Sequence, residues 1–360
     1  MQDITSNNIQ ELERMISEAR KISIVTHQKP DGDAMGSCIA LYHFLHLSGK
    51  DSVRIILNDR YPAYLDFLTE GIPDKDMIIH QSRPAEAGIL LTDSDLIFCL
   101  DFNAFHRTDG LEPLLAGSKA RKILIDHHLS PDRKAFDLSF SETDTSSASE
   151  LLYNILMSTA IIAQNAELLP PMSATALMTG MTTDTNNFGN STYPSTLLMA
   201  SSLLAAGVDR DAILSSLYNQ HSESRLRLMG HMMKDLMTIT ADGVAYMVLD
   251  RKTQTEYSVE EGDTEGFVNM PLSIAGVRMS ILAKEDDGKV RISIRSKKGT
   301  SANGCAREHF NGGGHENAAG GRLRIPEDIA DISYAAEYIE RHTHIHLTGD
   351  GTAETEKLSK

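Results

Sequence analysis

Residues 21–33 read KISIVTHQKPDGD, a short apolar run followed directly by a polar turn. The run 21–26 is rich in Ile and Val and predicts a buried strand. The turn holds His27, Asp31 and Asp33, and its Pro and Gly favour a tight bend. Ligands of α/β sheets bind beyond the carboxyl ends of the strands, so the segment predicts a ligand site there. On this segment alone, Asp33 is equally well explained as a helix cap.

Strand and helix patterns alternate through the first half of the chain. Further strand candidates are SVRIIL (52–57), DMIIH (76–80), DLIFCLDF (95–102) and RKILID (121–126). Helical stretches or loops separate them. This alternation predicts an α/β domain with a parallel sheet and helices on both faces.

Possible metal ligands stand at two more of these strand ends. Asp101 lies at the end of DLIFCLDF, and Asp126, His127 and His128 end the run RKILIDHH. A further acid, Asp184, follows a predicted helix. Each residue alone also fits a cap or surface role. Carboxylates and imidazoles at three strand ends of one parallel sheet predict that these side chains converge on metal ions.

The second half predicts a smaller, mixed α/β domain. Its strand candidates are 244–250, 277–283 and 290–296, followed by a Gly-rich turn at 312–314 and a helix near 330–341. A Leu-, Met- and Ala-rich helical region precedes it. We therefore expect a first domain at 1–195, a helical linker at 196–237, a second domain at 238–347 and a disordered tail at 348–360.

Composition limits the partners and the compartment. The formal net charge of -16 argues against coating a long duplex, because such binding requires a basic face. Three scattered cysteines fit a reducing compartment rather than a disulfide framework. We see no signal peptide and no apolar run long enough to span a bilayer. These features predict a cytoplasmic protein without a membrane partner.

The ordered motifs resemble those of the DHH phosphoesterase superfamily. HxxxDxD at 27–33, Asp101, DHH at 126–128 and the acid in TTDT match its four motifs in order. Arg295-Ser296-Lys297 and GGGHENAAG (312–320) resemble the associated DHHA1 domain. The resemblance extends from about residue 20 to about residue 325. The subgroup it resembles is the nanoRNase and pAp-phosphatase type, in which pAp is 3′-phosphoadenosine 5′-phosphate.

The resemblance implies two metal sites and a substrate-binding lobe. One ion would be held by His27, Asp31 and Asp101, and the second by Asp33, His127 and Asp184, with Asp101 bridging both. The implied metal is Mn²⁺, with Mg²⁺ or Co²⁺ as alternatives. Asp126 would orient His127, and His128 would face the substrate phosphate. The substrate-binding residues implied for the second domain are Arg295, Ser296, Gly312, Gly313, Gly314 and His315.

The implied activity is hydrolysis of short oligonucleotides, of pAp, or of both, by in-line attack of a hydroxide that bridges two metals. One alternative is a stand-alone phosphodiesterase for cyclic di-AMP or linear dinucleotides. Another is a non-catalytic nucleotide sensor. The resemblance also allows a homodimer.

His342, His344 and His346 alternate near the C-terminus. On a strand they would share one face and be able to bind a metal. Because they border a polar tail, the sequence favours solvated surface residues.

Overall fold

The chain, seen here as a computed structural model, is described over residues 3–219, 222–260 and 262–349. It divides into two compact units, Met1–Gln220 and His221–Lys360. Each unit has its own six-stranded sheet and its own hydrophobic core. Across the described residues, no helix has both the length and the apolar composition required to cross a lipid bilayer.

The sheet of the first unit is parallel throughout, as the sequence predicts. Its strand order is β3-β2-β1-β4-β5-β6. The strands are β1 (Ile22–Thr26), β2 (Val53–Leu57), β3 (Met77–Ile79), β4 (Leu96–Leu100), β5 (Arg121–Asp126) and β6 (Leu138–Ser141). The sequence analysis missed β6, because its four residues, LSFS, form neither an apolar run nor a long alternating pattern.

Both faces of this sheet are covered, which confirms the predicted layers. Ile24 and Phe98 belong to a large core cluster that includes residues of α1 (Ser6–Glu18) and α2 (Gly32–Leu47). Their strand neighbours point the other way, because successive side chains of a strand alternate between faces. Cys99, for example, belongs to a second cluster with residues of α3 (Pro84–Asp93) and α4 (Glu112–Gly117).

The remaining helices of the first unit are α5 (Ala148–Met157), α6 (Pro171–Asp184), α7 (Pro194–Ala205) and α8 (Arg210–Tyr218). Helix α2 packs closely on α6 because glycines stand at their contact. A Cβ on Gly36 would lie 2.5 Å from the Ala176 carbonyl oxygen and 2.9 Å from the Gly180 nitrogen. This close approach places the two helix ends that carry candidate ligands, Asp33 and Asp184, against the same sheet edge.

The second unit contains a mixed sheet, as predicted. Its order is β11-β12-β10-β9-β8-β7. Only the β8–β9 pair is parallel among the pairings described. The strands are β7 (Thr238–Ile239), β8 (Val244–Leu249), β9 (Met279–Asp286), β10 (Lys289–Ser296), β11 (Gly313–Gly314) and β12 (Ala318–Arg324).

The helices of the second unit are α9 (Glu223–His231), α10 (Arg251–Glu256), α11 (Ala302–His309) and α12 (Ala335–Thr348). The predicted linker, 196–237, contains most of α7, all of α8 and α9, and a π-helical turn at Met232–Leu236. Its residues are shared between the two units. The functional domain limits given above stay predictions. The predicted tail, 348–360, lies outside the described residues from Asp350 onward.

Candidate metal centre

His27 and Asp31 lie in the loop that leaves β1. Asp31 caps α2, and its Oδ1 accepts hydrogen bonds from the backbone N–H groups of Asp33 and Ala34. The His27 ring is oriented by Nδ1, which lies 2.7 Å from the Gln28 carbonyl oxygen. A carbonyl can only accept, so Nδ1 carries the proton and Nε2 offers its lone pair. Nε2 lies 3.9 Å from Asp31 Oδ1.

Asp101 stands between the two imidazoles. It follows β4 with a φ of 61°, a left-handed conformation that is uncommon for a residue other than glycine. Its Oδ2 lies 3.5 Å from His27 Nε2, and its Oδ1 lies 3.6 Å from His127 Nε2. The residue is 3% exposed. One buried carboxylate thus presents one oxygen to each predicted ligand set.

His127 lies close to the other residues of the second predicted ligand set. Its Nε2 lies 3.5 Å from Oδ2 of Asp184, the last residue of α6, and 3.9 Å from Asp33 Oδ2. The structure therefore brings together all six residues that the sequence analysis named as metal ligands. Their roles as ligands stay predictions.

Asp33 is held in place by a helix that the motif analysis did not use. Its Oδ2 accepts from the Ala148 N–H at 2.6 Å and its Oδ1 accepts from the Ser149 N–H at 2.9 Å, at the first turn of α5. A helix N-terminus favours a negative charge there. Each oxygen has a second lone pair, so the carboxylate can still bind a cation. The sequence signal was the capping pattern of Ser147 and Glu150.

The structure corrects the predicted partner of Asp126. Its Oδ1 lies 2.7 Å from Nδ1 of His128, whereas the sequence analysis assigned it to His127. The reason is the alternation of an extended chain, in which residues two apart point to the same side. His127 therefore points toward the ligand set, and Asp126 orients His128.

The carboxylates of the centre repel one another. Burial raises the pKa of Asp101 well above its usual range, and the charges of Asp33, Asp31 and Asp184 raise it further. Burial also raises the pKa of Asp33. For His127, burial opposes the charged form, but the carboxylates of Asp184 and Asp33 outweigh it and raise its pKa. The site thus has an excess of buried negative charge, which bound cations would compensate.

The donor set fits divalent cations. His27, Asp31 and Asp101 each offer one ligand atom, and these atoms lie within 4.8 Å of one another; the same holds for Asp33, Asp101 and His127. Asp101 Oδ1 is buried, and among the described residues it has no hydrogen-bond partner. A buried carboxylate oxygen in that state is costly unless a cation binds it. Imidazole and carboxylate without thiolate suit Mn²⁺, Mg²⁺ or Co²⁺ better than a structural zinc site.

The substrate-binding candidates of the second unit lie at one end of its sheet. Arg295 pairs with Ala318 of β12, and Gly314 pairs with the next residue, Ala319. Ser296 makes internal contacts: its hydroxyl donates to the Thr300 carbonyl at 2.7 Å and accepts from Asn317 at 3.0 Å. It therefore braces the turn beside Arg295.

Backbone packing requires two of the three glycines in the Gly-rich turn at 312–314. A Cβ on Gly312 would clash with the Gly320 carbonyl oxygen, and Gly314 has a φ of 153°. The N–H groups of Gly312, Gly314 and His315 donate to acceptors within the unit. The structure thus explains Gly312 and Gly314 without a ligand, and phosphate binding by Gly312, Gly313, Gly314 and His315 stays a prediction.

Two family profiles match this chain. The DHH family, N-terminal domain, matches residues 21–181, and the DHHA1 domain matches residues 241–340. The first match contains every predicted ligand except Asp184. The chain belongs to the DHH phosphoesterase family. It is accordingly a hydrolase of phosphoric esters, and its buried His and Asp groups agree with the metal dependence of that family.

This DHH phosphoesterase resembles several known proteins over nearly its whole length. It is 29% identical to the bifunctional oligoribonuclease and PAP phosphatase NrnA of Thermus thermophilus, over 94% of this chain and 95% of that protein. It is 27% identical to the cyclic-di-AMP phosphodiesterase GdpP of Geobacillus thermodenitrificans, over 94% of this chain but 49% of that protein. The crystal structure of an exopolyphosphatase-related protein from Bacteroides fragilis superposes on this chain with a TM-score of 0.86. The two sequences are 36% identical, and the match covers 95% of this chain and 97% of that one.

Arg107, a basic residue of the DHH unit, was not predicted from the sequence. Its carbonyl oxygen accepts from the Gln28 N–H at 2.8 Å, which ties it to the loop of His27. Burial lowers the pKa of His128, Asp126 opposes this decrease, and the charges of His127 and, least of all, Arg107 add to it. The available signal was its position in the loop shortly after Asp101.

Proposed function

We propose that this chain is a divalent-metal-dependent phosphodiesterase and phosphatase that hydrolyses short oligonucleotides and 3′-phosphoadenosine 5′-phosphate. The observation that carries the proposal is the position of Asp101, which presents one oxygen to His27 and the other to His127. Similarity to the NrnA of Thermus thermophilus, which extends over both units, supports the substrate class.

The proposed centre holds two ions, with Mn²⁺ as the metal. The residues that would hold them are His27, Asp31 and Asp101 for the first and Asp33, Asp101, His127 and Asp184 for the second. When bound, such cations supply the positive charge that activates water and stabilises the oxygen that leaves phosphorus.

The side chains around the centre orient its ligands and the substrate. Helix α5 fixes the Asp33 carboxylate through two backbone hydrogen bonds. Asp126 fixes the His128 ring through Nδ1, and His128 is proposed to contact the substrate phosphate. Arg107 adds a positive charge that favours an anionic substrate near His128.

The second unit is proposed to bind the far end of the substrate. Arg295, braced by its neighbour Ser296, would clamp a phosphate, since a guanidinium binds phosphate through two parallel hydrogen bonds. Gly312, Gly313, Gly314 and His315 would line the same position. A unit that binds one end of the substrate selects for short molecules, which agrees with the acidic chain. A homodimer stays a prediction.

One activity panel tests this proposal. The purified chain is treated with a chelator, reloaded with Mn²⁺ and assayed on pAp, dinucleotides, 5-mers, 24-mers, cyclic di-AMP and pyrophosphate. We expect turnover of pAp and the short oligonucleotides, loss of turnover after chelation, and little turnover of 24-mers. Asp101→Asn should reduce turnover to background and lower the bound Mn²⁺.

The control is Asp95→Asn, which removes a carboxylate at the opposite end of β4, where it accepts from the backbone of Arg20 and Lys21. This variant should keep full activity. The relative named a cyclic-di-AMP phosphodiesterase makes that nucleotide the second candidate substrate, and preferential turnover of it would replace the proposal. Nucleotide binding without any turnover in Mn²⁺ would indicate a sensor instead.

A further inference from the structure

The second unit contains a group of imidazoles that the proposed phosphodiesterase activity does not use. Helix α11 ends with Glu308 and His309, and α12 carries His342 and His346. His342 and His346 are one helical turn apart and share the face that meets α11. The sequence analysis expected His346 in solvent, yet its side chain is 12% exposed and that of His309 is 15% exposed. That expectation came from the neighbouring polar tail. The residues form a helix, not the strand on which they would share one metal-binding face.

Three of these residues aim ligand atoms at one point. His346 Nδ1 lies 2.8 Å from Glu308 Oε2, and His309 Nε2 lies 3.7 Å from the same oxygen. One ligand atom from each of the three residues lies within 4.8 Å of the others. Two imidazoles and one carboxylate are a ligand set that zinc sites use when they keep an open position.

The opposite nitrogen of each ring has a partner that orients it. His346 Nε2 lies 3.2 Å from the Ser301 carbonyl oxygen, and His309 Nδ1 lies 3.2 Å from His342 Nδ1. Metal-binding imidazoles commonly use their second nitrogen in this way. Because a carbonyl only accepts, His346 Nε2 carries a proton. If the ring is neutral, Nδ1 has no proton, and its lone pair faces a lone pair of the Glu308 carboxylate. This contact is unfavourable, and a cation bound between the two atoms would relieve it.

We propose that Glu308, His309 and His346 bind a divalent transition-metal ion, Zn²⁺ by the chemistry of the set, and that His342 orients His309. Burial lowers the pKa of His309 and of His342, which favours the neutral imidazoles that metals bind. The ion would join α11 to α12. Its exposed ligand, Glu308, leaves one side open to water or to an anionic ligand.

A different explanation accounts for the shortest contact. A protonated His346 would form an ordinary ion pair with Glu308, and a similar contact joins His344 Nδ1 to Asp242 Oδ2 at 2.7 Å. His344 lies on the same helix and has a carboxylate partner, but it belongs to no group of three possible ligands among the described residues. It is therefore the matched control.

The test measures zinc binding by the full chain, independent of catalysis. A background variant, His27→Ala with His127→Ala, removes imidazoles of the first unit that would also bind zinc. After chelator treatment, Zn²⁺ is titrated against a chromophoric competitor, and Co²⁺ spectra report the ligand geometry. We expect the background variant to bind one Zn²⁺ per chain and to melt at a higher temperature when it is loaded.

Adding His346→Ala to the background variant should abolish binding of this one Zn²⁺ per chain, whereas adding His344→Ala should not. His342→Ala should keep the stoichiometry and weaken affinity by about 10–100-fold, as expected for a residue that only orients a ligand. If His346→Ala fails to fold, Glu308→Gln provides the same test with little change in shape. No zinc binding by the folded background variant, or equal binding after His346→Ala or Glu308→Gln, would overturn the proposal and leave the ion pair.

Discussion

At the scale of single residues, the candidate centre depends on which oxygen or nitrogen each side chain presents. Asp101 divides its two oxygens between two imidazoles. Asp33 is aligned by backbone N–H groups and Asp184 by the end of a helix. None of these carboxylates adjoins another in sequence, and each is fixed by a different element. The loss of one ligand should therefore weaken metal binding without unfolding the unit.

Asp126 provides a residue-scale prediction. Asp126→Asn replaces the carboxylate that holds His128 Nδ1 at 2.7 Å and should release the ring from its fixed tautomer. We expect kcat for pAp to fall by about 10–100-fold, with KM and bound Mn²⁺ nearly unchanged. Steady-state kinetics and metal analysis measure these quantities.

The same measurements on His128→Ala complete this comparison. If Asp126 acts through His128, the double variant should be no worse than His128→Ala alone. Additive losses in the double variant, or wild-type kcat in Asp126→Asn, would show that Asp126 has another role.

At the level of secondary-structure elements, the contact between α2 and α6 sets the positions of two predicted ligands, Asp33 in α2 and Asp184 in α6. Gly36 and Gly180 allow backbone atoms to meet, and a Cβ on Gly180 would clash with the Ser149 hydroxyl. Ser149 also donates its backbone N–H to Asp33. The packing of α2, α5 and α6 therefore also sets the position of the Asp33 carboxylate.

Gly36→Ala tests this contact. The added methyl would lie 2.5 Å from the Ala176 carbonyl oxygen, so the helices must separate. We expect a loss of about 1–3 kcal/mol in the free energy of unfolding and weaker Mn²⁺ binding. Chemical denaturation and metal titration check the two effects.

Gly230→Ala is the matched control, because Gly230 is also helical but a Cβ there meets nothing within 4 Å. It should stabilise its helix by about 0.5–1 kcal/mol and leave Mn²⁺ binding unchanged. A Gly36→Ala protein as stable as the wild type would mean that the helices are less tightly packed than described.

At the scale of the whole molecule, charge limits the substrates. A formal net charge of -16 repels a long polyanion, because duplex binding depends on neutralising many phosphates at once. A short nucleotide needs only a local positive field, which bound cations and a few arginines supply.

This balance predicts that excess duplex DNA leaves the initial rate of pAp hydrolysis unchanged. A dinucleotide at the same phosphate concentration should inhibit, because it competes for the proposed site. The measurement is the initial rate at low and moderate salt. Inhibition by the duplex that weakens steeply with added salt would reveal a basic binding face and contradict the expectation.

Much of the first unit could be predicted from the sequence. Apolar runs mark buried strands, and the carboxyl ends of parallel strands meet at one sheet edge, so His27, Asp101 and His127 were predictable as neighbours. The fold class followed from the same alternation. Strands β6 and β12 were not predicted, because the four residues of β6 carry too weak a periodic signal and two glycines interrupt the pattern of β12.

Which atoms meet could be seen only in the folded molecule. Asp126 orients His128 rather than His127, helix α5 holds Asp33, and His346 lies half-buried against α11 although it borders a polar tail. These contacts join residues far apart in the chain or depend on the direction of each side chain. Local sequence patterns encode periodicity and burial. The direction of each side chain and its contacts with distant residues are set by the packing of whole helices and strands.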